Sequence, residues 1–182
     1  LSATPGDTPT TPVLGTPVTH SDWMLHDGIE WGAPGVRHML DMCKASGWKR
    51  IYWRALDAGR ATYKSRLLDP AGKPDDDWFY NPKTPEDVKV LEKYCTMTTA
   101  ARQALTARVS RFSYADFDSL AEAVRYGHGI GLEVHAWITI NEDDHGCGMA
   151  SRFAANHPEM RWRRRNGTAY RSQMSFAFPE VR

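Results

Sequence analysis

The segment from Gly131 to Thr139 alternates between two kinds of side chain. The even-numbered positions 132–138 are all apolar, and the odd-numbered positions hold Glu133, His135, Trp137 and Thr139. Successive side chains of a β-strand point to opposite faces of the sheet. The pattern therefore predicts a strand with one face packed under helices and the other lining a polar interior, as in an α/β barrel.

Two patterns earlier in the chain predict the unit from which parallel sheets are built. Residues 23–26 are predicted as a first strand, and apolar residues at helical spacing over 36–43 predict a helix that ends near Gly47. The aromatic-rich residues 49–56 predict a second strand. A strand, a helix and a strand in this order favour parallel pairing with a right-handed crossover.

A long loop, further helices and a hairpin are predicted around the strand at 131–139. Residues 57–83 are rich in glycine and proline and are predicted as a loop. Helices are expected from Thr84 and from Asp116, the second ending at Gly127 and Gly129. The dipeptide Asn166-Gly167 predicts the turn of a hairpin over 160–173.

These elements amount to about three sheet strands besides the hairpin, whereas a complete eight-stranded barrel takes ~250 residues. We therefore expect an α/β fold over residues 20–182, the N-terminal portion of a (β/α)8 TIM-like barrel that is incomplete in this chain. Residues 1–19 are rich in proline and threonine, which predicts a flexible arm. A chain that begins at Leu1 with such an arm is typical of a mature secreted or periplasmic protein, so we expect an extracytoplasmic location.

Composition narrows the partners and cofactors. The net charge of +1 gives no global attraction to nucleic acid, and no run approaches the ~20 apolar residues that span a bilayer, so neither nucleic acid nor membrane is expected as a partner. The three cysteines form no CxxC motif, so a zinc or redox motif is not supported. No metal and no cofactor are predicted. One disulfide is possible, but its pairing cannot be deduced from the sequence.

Three segments carry a resemblance to a known family. They are residues 59–65 (Gly-Arg-Ala-Thr-Tyr-Lys-Ser), residues 131–138, and His157-Pro158-Glu159 together with residues 179–182. In this order and spacing the chain resembles secreted bacterial TIM-barrel proteins described as family-ten-like glycosyl hydrolases, although Arg60 stands where members usually have aspartate. The resemblance implies a barrel that hydrolyses glycosidic bonds, with a further acidic motif on a fourth strand beyond residue 182.

Hydrolysis of a glycosidic bond usually needs two carboxyl groups, and barrel sites lie at the carboxyl ends of the strands. The candidate catalytic residues are accordingly Glu142, Asp57 and His135. The candidate substrate-binding residues are Arg54, Trp53, Trp137 and Asn141, in which a tryptophan ring would stack against a sugar. For each tryptophan the alternative is ordinary core packing, for Asp57 a solvated loop position, and for Arg54 an ion pair with Glu133, itself expected to be structural.

Two other functions stay open. The chain could be a non-catalytic carbohydrate-binding barrel, or a metal-dependent hydrolase that uses His135 with residues 143–145. The arginines of residues 161–165 fit an anionic polysaccharide better than DNA, but a solvated hairpin is the simpler interpretation. The expected partner is a carbohydrate substrate. A second polypeptide or a homodimer could complete the barrel, because a partial parallel sheet leaves an open edge.

Overall fold

The computed structural model describes residues 12–19, 22–23, 30–71, 82, 84–95, 98–109, 111–140 and 151–181. The first half contains β1 (Gly15–Val18), α1 (Ala33–Ala45), β2 (Arg50–Arg54), β3 (Leu56–Asp57) and β4 (Arg60–Ala61). The second half contains α2 (Pro85–Cys95), α3 (Thr99–Val109), α4 (Ser119–Gly129), β5 (Glu133–Trp137), α5 (Arg152–Asn156), β6 (Arg161–Arg163) and β7 (Ala169–Met174). Short 3₁₀ turns lie at Pro158–Met160 and Pro179–Val181.

The described strands form a parallel three-stranded sheet in the order β1-β2-β5, and two separate hairpins, β3-β4 and β6-β7. The predicted α/β class with a parallel sheet is therefore confirmed. In the described part of the chain the sheet is open and does not close into a barrel. None of the helices in this part is both long and apolar enough to cross a bilayer.

The first strand lies elsewhere than predicted. Asp22 and Trp23 are helical, whereas β1 falls within residues 1–19, which composition assigned to an arm. Pro17 is compatible with this strand because β1 is at the edge of the described sheet, where a missing backbone N–H need not break a ladder bond. Residues 24–26 of the predicted strand lie outside the described residues.

Helices α1 and α4 cover one face of the sheet. Ile51 and Trp53 of β2 point into this layer and are fully buried, and Val134 of β5 packs against the same core. Glu133 and His135, of opposite parity, are exposed on the other face. The predicted alternation therefore holds for residues 132–135, whereas Ala136 and Ile138, which were expected on the helical side, are exposed.

Helix α4 begins two residues later than predicted. Asp118, not Asp116, is its cap and accepts a hydrogen bond from the Ala121 backbone N–H at 2.8 Å. The helix ends at Gly129, as predicted, and the chain turns at Gly131, whose φ of +81° suits glycine. Gly127 has a packing role, because a Cβ atom there would lie 2.5 Å from Cγ2 of Val134.

This close approach makes Gly127→Ala destabilising. The added methyl group must push Val134 away, and the β-branched valine has little rotameric freedom, so we expect a loss of about 1–3 kcal/mol in unfolding free energy. Gly129→Ala in the same helix is the matched control, since nothing lies within 4 Å of its Cβ position. That variant should gain up to ~1 kcal/mol from helix propensity. Equal effects in urea unfolding would contradict the packing role of Gly127.

Glu122 links the two covering helices. Its carboxylate lies 2.6 Å from Arg37 Nε of α1 and 2.7 Å from Arg125 Nη2 of α4. Burial alone would raise the pKa of Glu122, but hydrogen bonds from Arg125 and Arg37 outweigh it and hold the pKa below its usual value. A carboxyl whose folded-state pKa is depressed stabilises the fold above its unfolded-state pKa and loses this contribution as pH falls through the folded-state value.

We therefore expect Glu122→Gln to destabilise the protein at pH 7 and to differ progressively less from the wild type as the pH falls below about 4.5. Urea unfolding at a series of pH values measures the difference. Glu86→Gln is the control, because that carboxylate is 76% exposed and lies 3.8 Å from Lys89. A constant difference between Glu122→Gln and wild type across this range would refute the assignment.

The predicted hairpin at 160–173 is present as β6 and β7, but its turn differs from the expected one. The Gly167 N–H donates to the Arg164 carbonyl at 2.9 Å, so Arg165 and Asn166 are the central residues. Gly167 follows them with φ +82°. A type I turn followed by a left-handed glycine is the usual three-residue connection, in which Asn-Gly falls one position later than in a two-residue turn.

Candidate functional site

The face of the sheet opposite α1 and α4 carries three cross-strand pairs. We call this the open face, made of Arg50, Tyr52 and Arg54 of β2 and Glu133, His135 and Trp137 of β5. The register pairs them in that order. Tyr52 is 38% exposed, and the side chains of Glu133 and His135 are each 52% exposed, so in the described part this face is accessible.

The amino end of the open face is an ion pair. Arg50 Nη2 lies 2.7 Å from Glu133 Oε2, and this hydrogen bond holds the pKa of Glu133 below its usual value. His135 Nε2 is 3.8 Å from the same carboxylate oxygen, and its ring centroid lies 5.8 Å from that of Tyr52. Glu133 thus has the structural role expected of it, but its partner is Arg50 and not Arg54.

The carboxyl end of the open face is built around the buried Arg54. Its Nε donates to the Leu56 carbonyl at 2.8 Å, and its Nη2 lies 3.3 Å from Asp57 Oδ1 and 3.4 Å from Thr139 Oγ1. The guanidinium carbon is 5.2 Å from the ring centroid of Trp137, within the range of a cation–π contact. Arg54 is thereby fixed beside a half-buried tryptophan at the end of the sheet where α/β sites form.

A tight hairpin sets the position of Asp57. Strands β3 and β4 pair Asp57 with Arg60, and both residues are buried. Ala58 and Gly59 connect them with φ values of 49° and 68°, the double left-handed conformation of a type I′ turn. The first residues of the predicted loop 57–83 therefore form ordered structure. The reason they were missed is that alanine at a left-handed position gives no sequence signal.

The hairpin is tied to the helical layer by buried hydroxyl groups. Thr62 Oγ1 donates to the Arg54 carbonyl at 2.5 Å, and Ser119 Oγ donates to the Thr62 carbonyl. Trp53 Nε1 donates in turn to Ser119 Oγ at 3.2 Å. This chain of hydrogen bonds joins β2, the residues after β4 and the start of α4.

Trp53 points away from the other candidate residues. It is 1% exposed, and its ring centroid lies 6.0 Å from that of Trp23, which stacks in turn on Trp31 at 5.2 Å. Trp31 stacks on Phe112 at 4.4 Å. In this structure Trp53 belongs to an aromatic core on the helical side, which is the alternative given for it above.

The predicted site residues therefore separate into three groups. Arg54, Asp57 and Trp137 lie together at the carboxyl end, His135 lies midway along the open face, and Trp53 lies on the opposite face. Glu142 and Asn141 are outside the described residues. The sequence analysis did not select Thr139, Arg60 or Tyr52, although Thr139 and Tyr52 share the strand parity of residues that it did select.

A shallow cleft of about 320 Å³ lies next to this end of the sheet, between the residues after β4 and the start of α4. Its lining is mixed in character and includes Lys64, Ser65, Arg66, Leu68, Tyr114 and Asp118. Asp118 is already used as the helix cap.

Metal-binding groups do not assemble in the described ranges, where no three His, Cys, Asp or Glu side chains come together as ligands. Residues 143–145, the basis of the metal-hydrolase hypothesis, lie outside these ranges. Cys43 lies on α1 and is a buried free thiol. Burial, and then the nearby charge of Asp22, raises its pKa.

Comparison with known proteins adds no family assignment. No family model matches the chain, and no curated protein matches it. The geometry of the open face and its carboxyl end is therefore what supports a function.

Proposed function

We propose that this chain is the N-terminal portion of an extracytoplasmic α/β barrel that hydrolyses a polysaccharide or oligosaccharide. The observation that carries the proposal is the grouping of Arg54, Asp57 and Trp137 where parallel strands end. Sugars are bound by aromatic rings, which stack on their C–H faces, and by fixed hydrogen-bond donors, which select their hydroxyl groups. Trp137 supplies the first and the Arg54 guanidinium the second.

The two faces of the parallel sheet differ, and the grouping lies on the open one. Helices cover one face, and the open face carries polar and aromatic side chains, as the interior of a barrel requires. In the proposed protein, further strands pair with the β5 edge and enclose the open face. Those strands come from the rest of the same chain beyond residue 182, from a second polypeptide, or from a second copy of this chain.

The catalytic acids are assigned by position. Glu142 follows the end of β5 by five residues and is proposed to protonate the leaving oxygen or to act as base. Asp57 is ion-paired with Arg54, so its proposed contribution is to hold that guanidinium towards the substrate. His135 is half exposed on the open face and is proposed to hydrogen-bond a bound sugar.

The test measures turnover and binding separately. The chain and its Glu142→Gln and Trp137→Ala variants are incubated with a panel of polysaccharides, and new reducing ends are counted. Binding of the matching oligosaccharides is measured by isothermal titration. Glu180→Gln, which alters an exposed glutamate, is the control. We expect Glu142→Gln to abolish turnover with binding kept, and Trp137→Ala to weaken binding at least tenfold.

Other outcomes decide between the alternatives. Binding that depends on Trp137, with no turnover on any polysaccharide, would favour a non-catalytic carbohydrate-binding barrel. If neither binding nor turnover is found, carbohydrate is excluded as the partner. Stoichiometric zinc or another transition metal in the purified protein, found by elemental analysis, would favour the metal-dependent hydrolase.

A further inference from the structure

The β6-β7 hairpin is held at its base by hydrogen bonds. Its base is held by a hydrogen bond of 2.8 Å from the Ser175 N–H to the Met160 carbonyl, and Met174 beside it is buried. Arg161 Nη2 reaches back to the Ala154 carbonyl at 3.3 Å. Beyond this base, positions 162–168 are all exposed. The tip of the hairpin is therefore an ordered surface presented to solvent.

Positive charge is concentrated in this hairpin. Residues 160–174 contain 5 of the 23 Lys and Arg residues of the chain and none of the 22 Asp and Glu residues. The remainder of the chain thus has 18 basic against 22 acidic residues and is net acidic. A positive hairpin on an otherwise acidic chain attracts anions locally and not through the overall charge.

The arginines at the tip are available for a ligand. Among the described residues, none of Arg163, Arg164 and Arg165 lies in an ion pair with a carboxylate. Arg163 Nη1 donates to the Gly167 carbonyl at 3.1 Å, which leaves most of its donors unused. Arg164 lies over the ring of Tyr170 at 4.8 Å, which orients its guanidinium.

An exposed aromatic ring lies beside them. Trp162 is 47% exposed, and its ring packs at 87° to Tyr170 with centroids 6.4 Å apart. Tyr170 supports Trp162 and Arg164 together, so the tryptophan and the guanidinium occupy one side of the hairpin. This combination offers one ring face for stacking, with the Arg164 guanidinium next to it, whereas Arg163 alternates to the other side of β6.

We propose that this hairpin binds an anionic polysaccharide. The C–H face of a sugar ring stacks on Trp162, and the acidic group of that sugar accepts hydrogen bonds from Arg164 on the same side of the hairpin. Arg163 and Arg165 bind acidic groups of neighbouring sugars as the chain passes around the tip. Arginine suits this role because its planar donors match carboxylate or sulfate oxygens. Single-stranded nucleic acid is the less favoured ligand, because its binding relies on several successive stacking platforms and the described hairpin exposes one.

The inference rests on the hairpin and does not require the open face to be catalytic. It is tested by affinity electrophoresis and isothermal titration of the whole chain with polygalacturonate, dextran sulfate, neutral dextran and an oligothymidylate of about 20 nucleotides, long enough to span a single-strand site. We expect binding to one or both acidic polysaccharides, weakening as salt is raised, and none to neutral dextran. Arg163→Gln with Arg165→Gln should weaken that binding about tenfold, and Trp162→Ala by a similar factor.

The control removes the same charge elsewhere. Lys44→Gln with Lys49→Gln changes two exposed lysines far along the chain and should leave affinity within about twofold. If the double variant has a lower melting temperature, Arg165→Gln alone is used in its place. The side chain of Arg165 makes no contact in the described part. The proposal fails if no acidic polysaccharide binds, if both double variants weaken binding equally, or if oligothymidylate binds more tightly than either acidic polysaccharide.

Discussion

Trp53→Ala is expected to lower the unfolding free energy by about 3–5 kcal/mol, most or all of the total if the stability lies at the lower end of the usual ~5–15 kcal/mol. The side chain is 1% exposed, packs on Trp23 and donates to Ser119. Its removal opens a cavity and leaves that hydroxyl without its donor. Urea unfolding followed by far-UV circular dichroism measures the loss.

The matched control is Trp162→Ala, which removes the same side chain from a half-exposed position and should cost less than about 1 kcal/mol. The comparison also decides between the two roles considered for Trp53. A Trp53→Ala protein as stable as Trp162→Ala would exclude the core role and make sugar stacking the better interpretation of Trp53.

Asp57→Ala is expected to cost a similar amount, about 3–5 kcal/mol, for an electrostatic reason. The carboxylate is 6% exposed, lies 3.3 Å from Arg54 Nη2 and faces the buried Arg60 across the type I′ turn. Its removal leaves buried guanidinium charge without this compensation. Asp57→Asn keeps the shape and one acceptor oxygen, so a smaller loss is expected.

Asp116→Ala is the control, because it removes an exposed loop carboxylate and should change stability by less than about 0.5 kcal/mol. Melting temperatures at pH 7 compare the three variants. Catalytic groups are commonly replaced at little cost to stability, and sometimes with a gain. If the Asp57→Ala protein has the melting temperature of the wild type but binds sugar without cleaving it, Asp57 is instead a catalytic acid.

Strands β2 and β5 of the main sheet were predictable because their side-chain patterns mark them, whereas β1 was not. The alternation of β5 identified the side chains of the open face and those of the core. In β2, Ile51 shares the parity of Trp53, so the same alternation, applied to β2, places Trp53 in the core. The register that pairs Arg50, and not Arg54, with Glu133 depends on where the strands begin, which side-chain pattern alone does not fix.

The parts that were missed depend on tertiary context. A proline in β1 is acceptable only because the strand is at an edge of the described sheet, and the close approach of Val134 explains why position 127 of α4 is glycine. The β3-β4 turn needs Ala58 at φ 49°, a conformation that its neighbours impose. The carboxyl-end grouping around Arg54 depends on that turn, so only its Arg54 and Trp137 members follow from strand patterns.

Because the Cys43 thiol is buried, its rate of alkylation measures local opening of the helical layer. The sulfur is shielded by the contact of α1 with the sheet, and its raised pKa keeps it in the unreactive thiol form. A maleimide reagent can therefore reach it only when that helix lifts. The rate at which mass spectrometry finds the Cys43 peptide alkylated would follow the local opening of the helical layer under native conditions.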